Sequence, residues 1–171
     1  MLISRRKIRA INNNIRISQN NGFTFIELIV IIVIISIISI VAIPRITDTV
    51  QSMNLKVATD KLLDDLRYIY NFGITYHRTT WFTVNVGSNS YSYGIYNTPP
   101  SSDPVALTDP STGQPANIDL DDYSGVTITA ETLGGGFDFN WWGTPSTGGQ
   151  ITLNGTRTIV IEPETGYVYE L

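Results

Sequence analysis

The sequence predicts an α+β fold in which one long N-terminal helix, apolar in its first half and amphipathic in its second, packs on an antiparallel β-sheet head. Three observations predict it. Between Phe23 and Ile43 every residue is apolar or small and uncharged, except Glu27. After Pro44 apolar residues recur at helical spacing as far as about Asn71, and from Thr79 the period changes to two.

Charge divides the chain before any motif does. Residues 1–22 carry Arg5, Arg6, Lys7, Arg9 and Arg16 and no acid, a local charge of +5. The other six basic residues stand against all fifteen acids, which leaves −9 on the remainder. An acidic body argues against a general affinity for nucleic acid, since phosphate binding runs on clustered Lys and Arg. Cysteine is absent, which excludes disulfides, thiolate metal sites and thiol nucleophiles.

The apolar run from Phe23 to Ile43 is twenty-one residues long. As a helix it spans roughly 31 Å, the thickness of a bilayer's hydrocarbon core. The positive charges on its N-terminal side place that end in the cytoplasm and the acidic body across the membrane. A secretory signal peptide fits poorly: the basic region is long, and the small-residue candidate Ile40-Val41-Ala42 puts bulky Ile40 where a small side chain is needed. A plain anchor explains length and orientation but leaves Glu27 as an uncompensated cost. An acid at a helix centre in hydrocarbon costs about 2.5–3.5 kcal/mol, less near the interface, so such a residue points to function.

The string Gly22-Phe23-Thr24-Phe25-Ile26-Glu27-Leu28-Ile29 resembles the class III signal of type IV pilins and type II secretion pseudopilins. The resemblance implies that a prepilin peptidase on the cytoplasmic face cuts between Gly22 and Phe23 and methylates the new N-terminus at Phe23. Glu27 is then fifth in the mature chain, where the family has its assembly glutamate, and Pro44 falls where many members have a helix-kinking proline. Physically, cleavage would create an α-ammonium at Phe23, and Glu27 of one subunit can pair with the ammonium of its neighbour. Two costly charges become one paired site, and losing either leaves the other unpaired.

The expected organisation is a basic leader over 1–22, a transmembrane and assembly helix over 23–44, an amphipathic helix over 45–73 and a β-rich head over 74–171. In the amphipathic part, Ile46, Val50, Met53 and Val57 form one stripe and Ala58, Leu62, Leu66 and Ile69 another, both expected under the chain's own sheet. Asp48, Gln51, Lys56, Asp60, Asp64 and Asp65 fill the solvated face, and Gly73 is the expected helix stop. Strands are expected in Thr79–Val86 and Ser90–Asn97, joined through Gly87-Ser88-Asn89. Thr98 to Asn117, with five of the eight prolines, reads as a long polar excursion. Strands resume at Val126–Thr129, Gly136–Trp141, Gln150–Leu153, Thr158–Ile161 and Tyr167–Tyr169, with glycine-bearing turns between them.

No catalytic constellation appears, and no cofactor or metal is expected. His77 is the only histidine and reads as a polar residue at the helix–strand junction. Asp119, Asp121 and Asp122 offer oxygen ligands of the kind calcium takes but lack the glycine-punctuated spacing of an EF-hand loop. Gly134-Gly135-Gly136 is followed by neither a helix nor a lysine, so it is a turn and not a phosphate loop. Asn154-Gly155-Thr156 matches a glycosylation sequon, yet as a hairpin turn it needs no sugar. Trp141-Trp142, at alternating positions, should place one ring in the core and one outward as a candidate head contact.

Two looser stretches, ATDKLLDDLRYIYNFGITYHRT and GGQITLNGTRTIVIEPETGYVYEL, resemble the GspH/FimT group of minor pseudopilins and minor pilins. The resemblance implies a non-enzymatic structural subunit. It would sit in the inner membrane with its head extracytoplasmic, then enter a helical filament in the periplasm or at the cell surface. Its implied partners are other pilin subunits, the prepilin peptidase and an inner-membrane assembly platform, with no nucleic acid. Two alternatives stay open: a DNA-binding competence minor pilin, and an uncleaved membrane-anchored β-rich domain.

Overall fold

The computed structural model describes residues 22–97 and 103–171, the side chains of 41–46 excepted. The basic leader and the tip of the polar excursion lie outside these residues. The chain divides into two compact units, Met1–Ala42 and Ile43–Leu171. Helix α1 (Phe25–Tyr76) contributes to both.

In the first unit α1 starts sharply. Thr24 is its N-cap: its carbonyl accepts the first helical bond, from the Leu28 N–H at 3.2 Å. Ser36 and Ser39 return their hydroxyls to the carbonyls of Ile32 and Ile35, each at 2.7 Å, so neither hydroxyl is left unpaired among aliphatic neighbours.

In the second unit α1 runs past Gly73 and ends at Tyr76. The glycine is used for close packing, since a Cβ there would stand 3.0 Å from the Arg78 carbonyl oxygen. The stop comes from His77, whose φ of 53° puts it in the left-handed region, while the Arg78 N–H bonds back to the Gly73 carbonyl at 3.0 Å. That is a Schellman closure built without glycine at its left-handed position.

Among the described residues, nine strands form two antiparallel sheets. The first holds β1 (Thr80–Asn85), β2 (Ser90–Tyr96), β3 (Pro104–Ala106), β4 (Asn117–Asp119) and β6 (Gly136–Phe139). Its order is β3-β2-β1-β6, with β4 continuing the same edge of β2 that β3 occupies. The second holds β5 (Ile128–Glu131), β7 (Gly149–Leu153), β8 (Arg157–Ile161) and β9 (Val168–Glu170), in the order β5-β7-β8-β9. Within its described part, the polar excursion is therefore not structureless: β3 and β4 both pair with β2. Asn154 and Gly155, both at positive φ, make the tight reversal between β7 and β8.

One apolar core joins helix and sheets. Ala58, Leu62, Leu66 and Ile69 of α1 are fully buried with Phe82 and Tyr93 of the first sheet and Ile151 and Ile159 of the second. Each buried Leu or Ile side chain contributes about 1.5–3 kcal/mol by leaving water.

Candidate functional site

At the N-terminal junction Gly22, Phe23 and Thr24 are non-helical and exposed, and Phe23 keeps 79% of its surface open. A Cβ placed on Gly22 would meet nothing within 4 Å, so the fold does not require glycine there. Glu27 is tied locally. Its N–H donates to Thr24 Oγ1 at 3.3 Å, and its carboxylate Oε2 accepts the Thr24 N–H at 3.4 Å. This reciprocal pair is a capping box, a role for Glu27 that the Thr-x-x-Glu spacing could have shown.

Beyond the cap, none of the described side chains from Gly22 to Ile40 is buried. An aliphatic helix without intramolecular cover needs lipid or other chains around it. Among the described residues no helix is long and apolar enough to cross a membrane. The described apolar part of α1, Phe25 to Ile40, is sixteen residues, about 24 Å of helix, and the expected span continues through 41–44. Pro44 lies among side chains that are not described, and with it the expected kink; the backbone there is helical.

The second unit corrects the expectation of two covered stripes. Ala58, Leu62, Leu66 and Ile69 are buried, but Val50, Met53 and Val57 are exposed, Met53 by 62%. Periodicity located this face without saying what covers it. Met53→Asp is expected to change head stability by no more than about 0.5 kcal/mol, as exposed substitutions do. Urea unfolding checks this, and a loss of about 2 kcal/mol or more would show the stripe to be covered by the head.

The tryptophans also depart from expectation. Strand β6 ends at Phe139, because Asn140 Oδ1 accepts the N–H groups of Trp142 and Thr144 at 3.0 and 2.9 Å and turns the chain. Neither ring enters the core: Trp141 is 41% exposed and Trp142 69%. They lie against each other with centroids 3.8 Å apart, and His77 flanks Trp141 at 5.9 Å. The turn is held to α1 through Gly143, at φ +87°, where any side chain would strike Tyr70 and Ile74.

One cluster escaped the sequence reading. Asp65, expected on the solvated face, is 3% exposed. Its carboxylate accepts from Lys61 Nζ at 2.6 and 2.7 Å, from Tyr91 Oη at 2.8 Å and from Tyr93 Oη at 3.2 Å. Lys61 also donates to Asp109 at 3.0 Å, so one ammonium serves two carboxylates. Burial raises the Asp65 carboxyl above the usual carboxylate range, although Lys61 and Tyr91 pull it down. Burial pushes Asp109 up too, but the Ser111 backbone and hydroxyl donors and Lys61 outweigh it, and its carboxyl is lowered. For Lys61 burial favours the neutral amine, yet its two acids hold its pKa above the ordinary value. Burial and the adjacent Asp65 charge raise Tyr91 well above its usual range. These groups bind α1 to β2 and to the loop before β4.

Two of the three acids in the Asp119–Asp122 cluster are occupied structurally. Asp119 Oδ1 caps the short 3-10 turn Leu120–Asp122 through the Asp121 N–H, and Asp121 accepts from buried Asn89. No group of three acids or histidines that could hold a metal ion occurs among the described residues. Asn154 receives Thr127 N–H on its amide oxygen and donates to the Gly125 carbonyl, so its nitrogen is already engaged in the fold.

A family model described as the prokaryotic N-terminal methylation motif matches residues 17–43. No curated protein matches the sequence. Among solved structures, the minor pseudopilin EpsH from the type 2 secretion system of Vibrio cholerae is similar at 12% identity. It has a TM-score of 0.53 and the match covers 69% of this chain and 96% of that one. The type IV minor pilin FimU of Pseudomonas aeruginosa is similar at 15% identity, with a TM-score of 0.50, over 67% of this chain and 86% of that one. At these identities the likeness is one of fold: a helix on antiparallel sheets, as in pilins.

Proposed function

We propose that the chain is a structural, non-enzymatic subunit of the minor pilin or pseudopilin type. A prepilin peptidase cuts it between Gly22 and Phe23 and methylates Phe23. The helix over 23–44 holds it in the inner membrane with the head outside the cytoplasm. An inner-membrane assembly platform then draws it into a helical filament of a type IV pilus or type II secretion system. There Glu27 pairs with the Phe23 ammonium of a neighbour, and the exposed Trp141–Trp142 pair is a contact of the head with other subunits. Pro44 bends the helix between its two halves.

The observation that carries this reading is the coincidence of the methylation motif over 17–43 with the apolar start of α1, where no described side chain up to Ile40 is buried. Gly22 adds support, because nothing in the fold demands a glycine there, so a demand for one would come from an enzyme.

The test is the intact mass and N-terminal sequence of membrane-extracted protein, made with and without a prepilin peptidase. A chain beginning at methylated Phe23 only when the peptidase is present is the expected result. Gly22→Ala is expected to leave the head's stability unchanged and to abolish processing. A wild-type chain that keeps residues 1–22 in the presence of the peptidase overturns the reading.

A further inference from the structure

The junction carries one more consequence, which rests on the cleavage reading above. We propose that the Thr24–Glu27 capping box is a positioning device for processing: it fixes the start of α1 beyond the Gly22–Phe23 bond, so that the peptidase meets that bond outside the helix.

Hydrolysis adds water across the Gly22–Phe23 amide, giving a carboxylate on Gly22 and an ammonium on Phe23. For that, a nucleophilic water must reach the carbonyl carbon and a proton must reach the amide nitrogen. Inside a helix the backbone is wound tightly, with the carbonyl committed to a hydrogen bond along the axis and the first-turn N–H groups taken up by the cap side chain. A scissile bond in the first turns of a helix must therefore be unwound before it can react, and the unwound fraction scales the apparent affinity of the enzyme for its substrate.

Here the bond is already outside. Helix α1 begins at Phe25, and Gly22, Phe23 and Thr24 are exposed and non-helical. The boundary is set by three bonds that converge on Thr24: Glu27 N–H to Oγ1, Thr24 N–H to Glu27 Oε2, and Leu28 N–H to the Thr24 carbonyl. The box has competitors. Ser18, Asn20 and Asn21 are all residue types that cap helices well. A helix begun at Asn20 or Asn21 would enclose the scissile bond in its first turn. Three residues after them stand Asn21, Phe23 and Thr24, and none is the glutamate or glutamine whose longer side chain completes a reciprocal box. Only Thr24 has Glu27 three residues on.

Glu27 thereby has two separable duties. Its charge serves assembly, while its acceptor oxygen serves the helix start. Glutamine keeps the acceptor and removes the charge. At Thr24, serine keeps the hydroxyl, and valine keeps the shape without it.

The experiment measures initial cleavage rates of the full-length chain in detergent by purified prepilin peptidase, over a range of substrate concentrations. The same chains are followed by amide hydrogen exchange at Phe23. Thr24→Val is expected to lower kcat/KM about fivefold, the size of a lost cap, through KM with kcat unchanged. Its Phe23 amide becomes more protected. Thr24→Ser and Glu27→Gln should stay within about twofold of wild type, as expected when the capping acceptor is kept. Wild-type kinetics in Thr24→Val, or a Thr24→Ser chain as slow as Thr24→Val, overturns the positioning role alone. A wild-type chain that is not cut overturns the cleavage reading and this inference with it.

Discussion

Lys61→Met is expected to destabilise the protein by about 3–5 kcal/mol at neutral pH, the cost of breaking a buried ion pair and stranding its partner. The effect is large because one ammonium neutralises both Asp65 and Asp109, and methionine would leave two carboxylates facing each other with no cation between them. The pH dependence gives the mechanism. Asp65 is raised in the folded protein, so the native state holds its proton more tightly than the unfolded chain. Its contribution therefore improves as pH falls through that raised value, and without Lys61 the rise is larger. The variant should regain stability on mild acidification, in a range where the wild type gains less. Asp109 carries the opposite sign: its lowered pKa contributes stability above the unfolded value, lost as pH falls through the folded one. Lys61 contributes below the ordinary lysine value of 10.5 and loses its contribution as pH rises through its raised folded value, so in strong alkali the wild type should lose stability beyond the loss that the raised Tyr91 imposes on both chains. Urea unfolding of both chains at several pH values measures all of this. A loss below about 1 kcal/mol at neutral pH, the size of a surface ion pair, would show the cluster to be solvated.

Glu27→Gln is expected to be cut at Gly22 and to fold as the wild type does, yet to fail in assembly. On the proposed pairing, the uncharged amide would leave the Phe23 ammonium of each neighbour unpaired in an apolar setting. An unpaired buried charge costs about 3–5 kcal/mol per contact, or two orders of magnitude or more in the affinity of one subunit for the next. Sheared-filament yield, with processed monomer in the membrane as the control, reads it out. Filament at wild-type yield would reduce Glu27 to its capping bond with Thr24.

The sequence was most legible where a local pattern has a single physical meaning. The junction from Gly22 to Glu27 stood out because a charge in an aliphatic run is costly. Strands β1 and β2 were visible because Phe82, Val84, Tyr91 and Tyr93 alternate with polar residues, and all four are buried. Strands β3 and β4 were not visible. They are three residues each, and β3 is wholly exposed, so neither has a period to read. Asp65 was misplaced for a different reason. Three residues after Leu62 and four before Ile69, it has the spacing of the buried face, but its charge was read as solvated, because the tyrosines that bury it lie 26 and 28 residues further along the chain. The tryptophans misled because alternation was carried two residues beyond Phe139, past an asparagine whose side chain reverses the backbone. Val50, Met53 and Val57 were read correctly as a face and wrongly as a covered one.

The tryptophan turn also has an optical consequence. Two indoles with centroids 3.8 Å apart and planes inclined by 30° are close enough for their transition dipoles to couple and far enough from parallel for the coupling to be chiral. The head should therefore carry an exciton couplet in circular dichroism. Because the pair is exposed and held by a turn seated on Tyr70 and Ile74, anything that lands on it or loosens that seat will alter the signal. The protein thus contains its own unlabelled reporter of contact at this surface.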